Sequence, residues 1–257
     1  MRLPLLLILI SAPGLPLCAD VCNPANLQGP YGFQLYGDTT ISGESKPVSN
    51  LGRMVLAADG GISGYSTTMF AGLLLGNPIT GVYEGHWDCT VSWSLQDDSG
   101  AFQHFSGVAT SDGTTVHYSQ TDPGGAQHGT LARISDECKP SDIQNAYAFT
   151  LSGTFTPMTP GDPSAPPVDA KGLIKADEHA NFKLTRKGSS TASATSTDAT
   201  ITVDAQCMVD IGLALPADDG STIMPMKLRG VLIDGGREIL AMATDPGAMV
   251  SAALTAP

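Results

Sequence analysis

Residues 81–93 read GVYEGHWDCTVSW, and their pattern decides the fold class. Val82, Tyr83, Trp87, Thr90, Val91 and Trp93 are β-branched or aromatic, the types that fit a pleated, half-buried surface. Strict alternation places Trp87, Cys89, Val91 and Trp93 on one face and Glu84, His86, Asp88, Thr90 and Ser92 on the other. The stretch predicts a strand over 88–96 with Cys89 inside it, facing a core beside two tryptophans.

Residues 201–213, ITVDAQCMVDIGL, repeat the pattern around Cys207. The repetition extends along the chain. CNPANLQGPYGFQLYG from Cys22 matches CKPSDIQNAYAFTLSG from Cys138, which carries Pro24 onto Pro140, Tyr31 onto Tyr147, Phe33 onto Phe149 and Gly37 onto Gly153. Ala58-Asp59-Gly60 matches Ala176-Asp177, Gly107-Val108 matches Gly230-Val231, and Thr121-Asp122-Pro123-Gly124 matches Thr244-Asp245-Pro246-Gly247. Each unit has the length of a domain and exceeds one turn of a solenoid. The expected organisation is a signal peptide over 1–19, one repeat over 20–136 and a second over 137–257.

The start, MRLPLLLILISAPGLPLCAD, has an early Arg, a short apolar core and a small-residue end, which is the pattern of a secretory signal. Secretion or export to a periplasm follows, with lipid anchoring through Cys18 as the competing reading. No stretch has the length of a membrane span. The chain holds five cysteines, and either fate of Cys18 leaves four. An even number in an exported chain implies disulfides. Of the three pairings, repeat symmetry favours Cys22–Cys89 and Cys138–Cys207, so Cys89 reads as a structural staple. The absence of any Asn-x-Ser/Thr sequon points to a bacterial origin. A net charge of −12 with no basic cluster argues against nucleic acid as a partner and is read as solubility.

Glycine and proline are abundant, helical periodicity is nearly absent, and short alternating runs are separated by turns such as Asp59-Gly60-Gly61, Asp112-Gly113 and Asp234-Gly235-Gly236. The fold class is all-β. Strands are expected near 30–37, 48–58, 61–69, 79–86, 88–96, 101–111, 114–120 and 127–134. In the second repeat they are expected near 146–155, 168–176, 180–187, 199–204, 206–214, 224–234, 236–243 and 248–255. Sequential hairpins suit two tandem up-and-down antiparallel β-barrels of about eight strands each. A pair of β-sandwiches is the alternative.

The run of Cys22, Gly29-x-Tyr31-x-Phe33, Ala58-Asp59-Gly60, Gly81-x-Tyr83 and Asp88-Cys89-Thr90 resembles a group of small exported bacterial proteins, mostly uncharacterised. Their unit is similar to the barrel of allene oxide cyclases and more loosely to lipocalins. The resemblance implies a barrel and carries little chemistry, since its motifs are turn glycines and cysteines. The second repeat departs from it at Ala205-Gln206-Cys207-Met208, and the lipocalin Gly-x-Trp signature is absent.

Candidate ligand-lining residues are Tyr31, Phe33, Trp87, Trp93, Tyr147 and Phe149, which would line or fill the barrels. The apolar stretch MFAGLLLGNPITG (69–81) reads as a loop, with Met69, Phe70, Leu73, Leu74 and Leu75 as a candidate interaction surface or, failing that, a packing element. GSSTASATSTDAT (188–200) and TPMTPGDPSAPP (156–167) read as polar and Pro-rich loops. His86, His104, His117 and His128 fall on separate strands without the spacing of a metal motif, so no metal or cofactor is expected. Asp97-Asp98 and Asp218-Asp219 read as turn formers. No nucleophile elbow or phosphate loop is present, and no catalytic residue is assigned. The function expected is binding of a small apolar ligand or of a protein surface. A cyclase or isomerase acting on an apolar substrate and a structural or adhesive module are the rivals.

Overall fold

The computed structural model describes residues 22–41, 43–96, 102–155, 165–176, 182–187, 193–216 and 223–257. The expected signal peptide and both Asp-Asp turns lie outside these residues. Barrel 1 is formed by β1 (Gly29–Ile41), β2 (Glu44–Leu56), β3 (Gly61–Phe70), β4 (Leu73–Gly85), β5 (Thr90–Gln96), β6 (Phe102–Ala109), β7 (Thr115–Gln120) and β8 (Gly125–Arg133). Barrel 2 is formed by β9 (Ala146–Phe155), β10 (Ala165–Ala176), β11 (Phe182–Lys187), β12 (Ser193–Val203), β13 (Met208–Pro216), β14 (Ile223–Ile233), β15 (Glu238–Ala243) and β16 (Ala248–Thr255). Within each barrel every strand pairs antiparallel with the next. β1 closes on β8 and β9 on β16, so both sheets are up-and-down barrels without a free edge.

Several boundaries differ from expectation. The stretch 69–81 is a hairpin rather than a loop: β3 runs to Phe70, β4 starts at Leu73, and Ala71 (φ 47°) and Gly72 (φ 86°) form the turn. Small polar residues of 188–200 enter β12 from Ser193, and the end of the Pro-rich stretch enters β10 at Ala165. Cys89 is not inside a strand. It ends the turn before β5, with φ at 69°, and Cys207 sits the same way with φ at 65°. That left-handed backbone is disfavoured for a side chain with a Cβ, and a disulfide holds each cysteine there. Cys22 pairs with Cys89 and Cys138 with Cys207. Strand registers also correct one repeat match. Gly29 faces Leu56, while the equivalent Asn145 carbonyl accepts from the Ala176 amide, so Ala176 corresponds to Leu56 rather than to Ala58.

The disulfides belong to a closed end that both barrels share. Cys22 and Cys138 hydrogen-bond through their amides to Trp87 and Ala205, beside the stapled turn. From the adjacent strand, the Tyr31 hydroxyl donates to the Gly113 carbonyl at 2.5 Å, and the Tyr147 hydroxyl donates to that of Gly236 at 2.8 Å. In barrel 1 the Arg133 guanidinium donates to the Gln28 and Asn26 carbonyls and to the Tyr31 hydroxyl, and lies over the Tyr31 ring. Leu27, in a 3₁₀ turn over Pro24–Leu27, is buried beneath this arrangement.

The barrels pack side by side through outer faces. On barrel 1 the alternation out of the lumen brings Gly32, Gln34, Ser49, Leu51, Met69 and Ala132 to the contact. On barrel 2 it brings Val231, Leu240 and Met242. Leu51, Met69 and Ala132 belong to the same buried cluster as the barrel 2 core. The Gln34 amide donates to the Ala241 carbonyl at 2.8 Å and the Ser49 hydroxyl to Met242 Sδ at 3.8 Å. Gly32 is required at the closest approach, because a Cβ there would lie 2.5 Å from Val231 Cγ2. The hairpin tip joins in, with the Gly247 amide donating to the Gly72 carbonyl.

Three outcomes test this arrangement. Cys22→Ala with Cys89→Ala removes a staple closing 67 residues, worth about 4 kcal/mol in the chain-entropy model. Hydrogen exchange should rise throughout 29–133 more than in 146–255, and equal loss in both barrels would contradict local stapling. Gly32→Leu should open the contact, seen as new protease sensitivity near residues 134–145, while each barrel keeps its β-sheet signal. Finally, burial pushes the Tyr31 hydroxyl up from 10.0 to about 12, although the nearby Arg133 charge pulls the other way. Its folded value exceeds its unfolded one, so stability is intact below about pH 10 and falls as pH rises to about 12. Chemical denaturation between pH 9 and 12 should show that fall, with a shallower slope in Tyr31→Phe.

Candidate functional site

The lumen of barrel 1 has two halves. Toward the closed end it is packed solid. Tyr31, Phe33, Met54, Val91, Trp93, Phe105, Val116, Tyr118 and Leu131 are all buried. Trp93 stacks on Phe105 with centroids 5.6 Å apart, and Tyr118 meets both rings edge-on. Burial of Tyr118 pushes its hydroxyl far above the usual tyrosine range.

Above the Phe33 ring the lumen opens into a chamber of about 220 Å³. It lies toward the end that carries the β3–β4 hairpin. The inward phase of seven strands supplies its wall, including Asn50, Ser66, Thr68, Asn77, Gln103 and Gln127, together with apolar Val48, Phe70, Leu75, Ile79 and Leu95. Among the described lining residues none is charged. Ser66 and Gln127 are deeply buried polar side chains. The Asn50 Oδ1 atom is buried without a hydrogen-bond partner in the protein, a condition that ordinarily costs about 1–3 kcal/mol.

A hydrogen-bond relay orients one wall of the chamber. Asp122 accepts from the His104 amide at 2.8 Å, pairs with His104 Nδ1 at 2.7 Å and accepts from Gln120 Nε2 at 3.1 Å. Gln120 Oε1 in turn accepts from Gln127 Nε2 at 2.7 Å. Burial alone would raise the Asp122 carboxyl. The bonds from His104 and Gln120 outweigh it and leave the group below its ordinary value. An ionised carboxylate only accepts, so each amide in the relay has one orientation, and Gln127 Oε1 is left outside the relay as an acceptor on a residue of the chamber wall.

Register matching shows what barrel 2 does at the same places. Asn50, Gln103, Gln120 and Gln127 correspond to Ala170, Met226, Ala243 and Val250. All four replacements are buried. Asp122 and Asp245 are retained in both, each accepting from a backbone amide, of His104 and of Lys227 respectively. That aspartate is therefore a turn element common to both barrels, and the amides are what distinguish barrel 1.

The residues singled out from sequence divide. Tyr31, Phe33, Trp93, Tyr147 and Phe149 are buried and fill their barrels; of these, Phe33 also forms part of the chamber wall. Trp87 is a correction. It lies in the turn after β4, is 64 % exposed and cannot line a lumen, because the alternation read through 87–93 breaks at Cys89. The hairpin group also splits. Met69 is fully buried against barrel 2, Phe70 and Leu75 line the chamber, and Leu73 and Leu74 are exposed beside its mouth. Asn50, Ser66, Gln103 and Gln127 were not picked out from sequence. Their signal is a polar residue on the inward phase of a strand whose repeat partner is apolar.

A wider groove of about 540 Å³ runs over the outer face of β5–β8 and β1, lined by Tyr36, Val108, His117, His128 and small polar residues. It is shallow, and Tyr36 meets His128 edge-on across it. His86 and His104 are exposed elsewhere on barrel 1. Among the described residues no group of three or more His, Cys, Asp or Glu side chains is placed to hold a metal ion, and no helix is long and apolar enough to cross a membrane.

No family model matches the sequence, and no curated protein matches it. Solved structures with a similar chain path include isotype 1 transferrin binding protein B from serogroup B Neisseria meningitidis. It is 9 % identical, with a TM-score of 0.29, over 90 % of this chain and 76 % of that one. Another is the Myxococcus xanthus hemagglutinin in complex with a mannopentaose, 11 % identical, with a TM-score of 0.16, over 88 % of this chain and 99 % of that one.

Asn50→Ala is expected to leave thermal stability unchanged or slightly raised, because it removes a buried unpaired oxygen. Gln127→Ala should lower it by about 1 kcal/mol, because it breaks a made hydrogen bond and leaves Gln120 without its donor. Melting temperatures of the two variants check this. A loss in Asn50→Ala as large as in Gln127→Ala would show that Asn50 is paired after all.

Proposed function

We propose that this is an exported binding protein in which barrel 1 holds a small ligand in its upper lumen and barrel 2, apolar at the equivalent described positions, is a support. The repeats over 20–136 and 137–257 are its two units. The observation that carries the reading is the exchange of Asn50, Gln103, Gln120 and Gln127 for apolar residues in an otherwise equivalent barrel. Polar side chains inside a barrel oppose folding unless they are hydrogen-bonded. Their confinement to one copy, around a cavity, supports a role in binding. Two disulfides support an oxidising compartment, in keeping with the secretory pattern of 1–19.

The resemblance to the allene oxide cyclase barrel offers catalysis as the rival. The described chamber wall favours binding, since amides and hydroxyls do not exchange protons readily near neutral pH. A ligand there would be only partly apolar, which narrows the apolar-ligand expectation drawn from sequence.

The test is native mass spectrometry of the mature protein after incubation with a small-molecule extract of its own culture medium. The unmodified protein should retain an adduct, and the double variant Asn50→Ala/Gln127→Val should not. A bare mass from both, or the same adduct on both, would overturn the assignment to this chamber.

A further inference from the structure

We propose that the chamber of barrel 1 selects the neutral, hydroxyl-rich head of a small amphiphile, with the apolar part of that ligand lying against Phe70, Leu73 and Leu75 at the rim. The inference rests on the binding role given to barrel 1 and adds the chemical class.

Charge is the first discriminator. The described wall has amides and hydroxyls but no ionised group. Asp122, at the far end of the amide relay, is engaged by His104 and Gln120. A carboxylate, phosphate or ammonium head entering the chamber would leave water without meeting a counter-ion, which is strongly unfavourable. A neutral head loses far less. Hydrogen-bond polarity is the second discriminator. The relay fixes Gln127 Oε1 as an acceptor, and the Asn50 amide has no protein partner at its buried oxygen. The head must therefore donate, and it can also accept from the Thr68 hydroxyl, the Ser66 hydroxyl being engaged with the Asn77 carbonyl at 3.4 Å. A hydroxyl does both. Size is the third. A chamber of 220 Å³ equals the liquid volume of roughly seven water molecules, enough for a single compact head and too little for an extended chain. The chain has a place to go, because Phe70 and Leu75 line the chamber and Leu73 is 55 % exposed beside them. Amides and hydroxyls inside a mixed wall, with apolar side chains continuing out to the exposed hairpin, suit an amphiphile entering head first.

The experiment titrates ¹⁵N-labelled mature protein with hexyl β-glucoside, hexanoate and hexylamine, following side-chain amide resonances. Hexyl β-glucoside should shift the Asn50 and Gln127 amides saturably. Hexanoate and hexylamine should bind at least about tenfold more weakly, and so should methyl β-glucoside, which lacks the tail. Asn50→Ala, Gln127→Val and Gln103→Met should each weaken hexyl β-glucoside by about tenfold. They install the residues that barrel 2 carries at these positions, and each can be read alone if another misfolds. Charged probes binding as tightly as the glucoside at the same amides would overturn the neutral class and leave the binding role standing. Saturable binding that ignores all three substitutions would place the ligand elsewhere and overturn both.

Discussion

One tie organises each half of this molecule. A tyrosine hydroxyl from the first strand of the barrel donates to a glycine carbonyl in the turn between its sixth and seventh strands, as Tyr31 does to Gly113 and Tyr147 to Gly236. The disulfide anchors the segment before that first strand to the turn before the fifth. Between them these links join the start of a barrel to its middle and its far side. A sheet of sequential hairpins would otherwise rest mainly on neighbour contacts. Both links sit at the same end, which is therefore closed in both copies.

Because closure is settled there, the opposite end is free to vary. Barrel 2 uses that freedom to place apolar Ala170, Met226, Ala243 and Val250 at its inward positions. Barrel 1 keeps amides at the same places and leaves space between them. Stability and recognition are thereby separated along one axis: the aromatic cluster of Trp93, Phe105 and Tyr118 bears the packing below, while the region above tolerates an unpaired Asn50 oxygen. The support from barrel 2 also reaches the mouth, through the Gly72–Gly247 hydrogen bond at the hairpin tip.

The sequence carried the architecture more fully than the site. Repeat landmarks and hairpin turns were readable because turn chemistry is local, and the cysteine pairing followed from symmetry. Trp87 and Cys89 were misplaced because a turn residue in left-handed conformation interrupts the alternation without leaving a glycine to mark it. The 69–81 stretch was misread because residues buried on two sides, such as Met69 against the other barrel, look like an exposed apolar run until the neighbour is known. The chamber was illegible for a different reason. Asn50 and Gln127 differ from surface amides only in phase, and phase depends on registers that a seven-residue drift between the copies obscures. Once strands are paired, the comparison with Ala170 and Val250 is immediate.

The packing of the barrels has a consequence for assembly. Barrel 1 presents β1 and β2 while barrel 2 presents β14 and β15, which correspond to β6 and β7 of barrel 1. The contact is thus head-to-tail, and a head-to-tail contact that does not close into a ring continues indefinitely from chain to chain. The two faces left over are the ones that would continue it. On barrel 2, Lys171 stands where barrel 1 has Leu51, and on barrel 1, His117 and Ser119 stand where barrel 2 has Leu240 and Met242. All three are exposed. Polar Lys171, His117 and Ser119 at these positions disfavour repetition of the same apolar contact from chain to chain, although Val108, the counterpart of Val231, is exposed on that face as well.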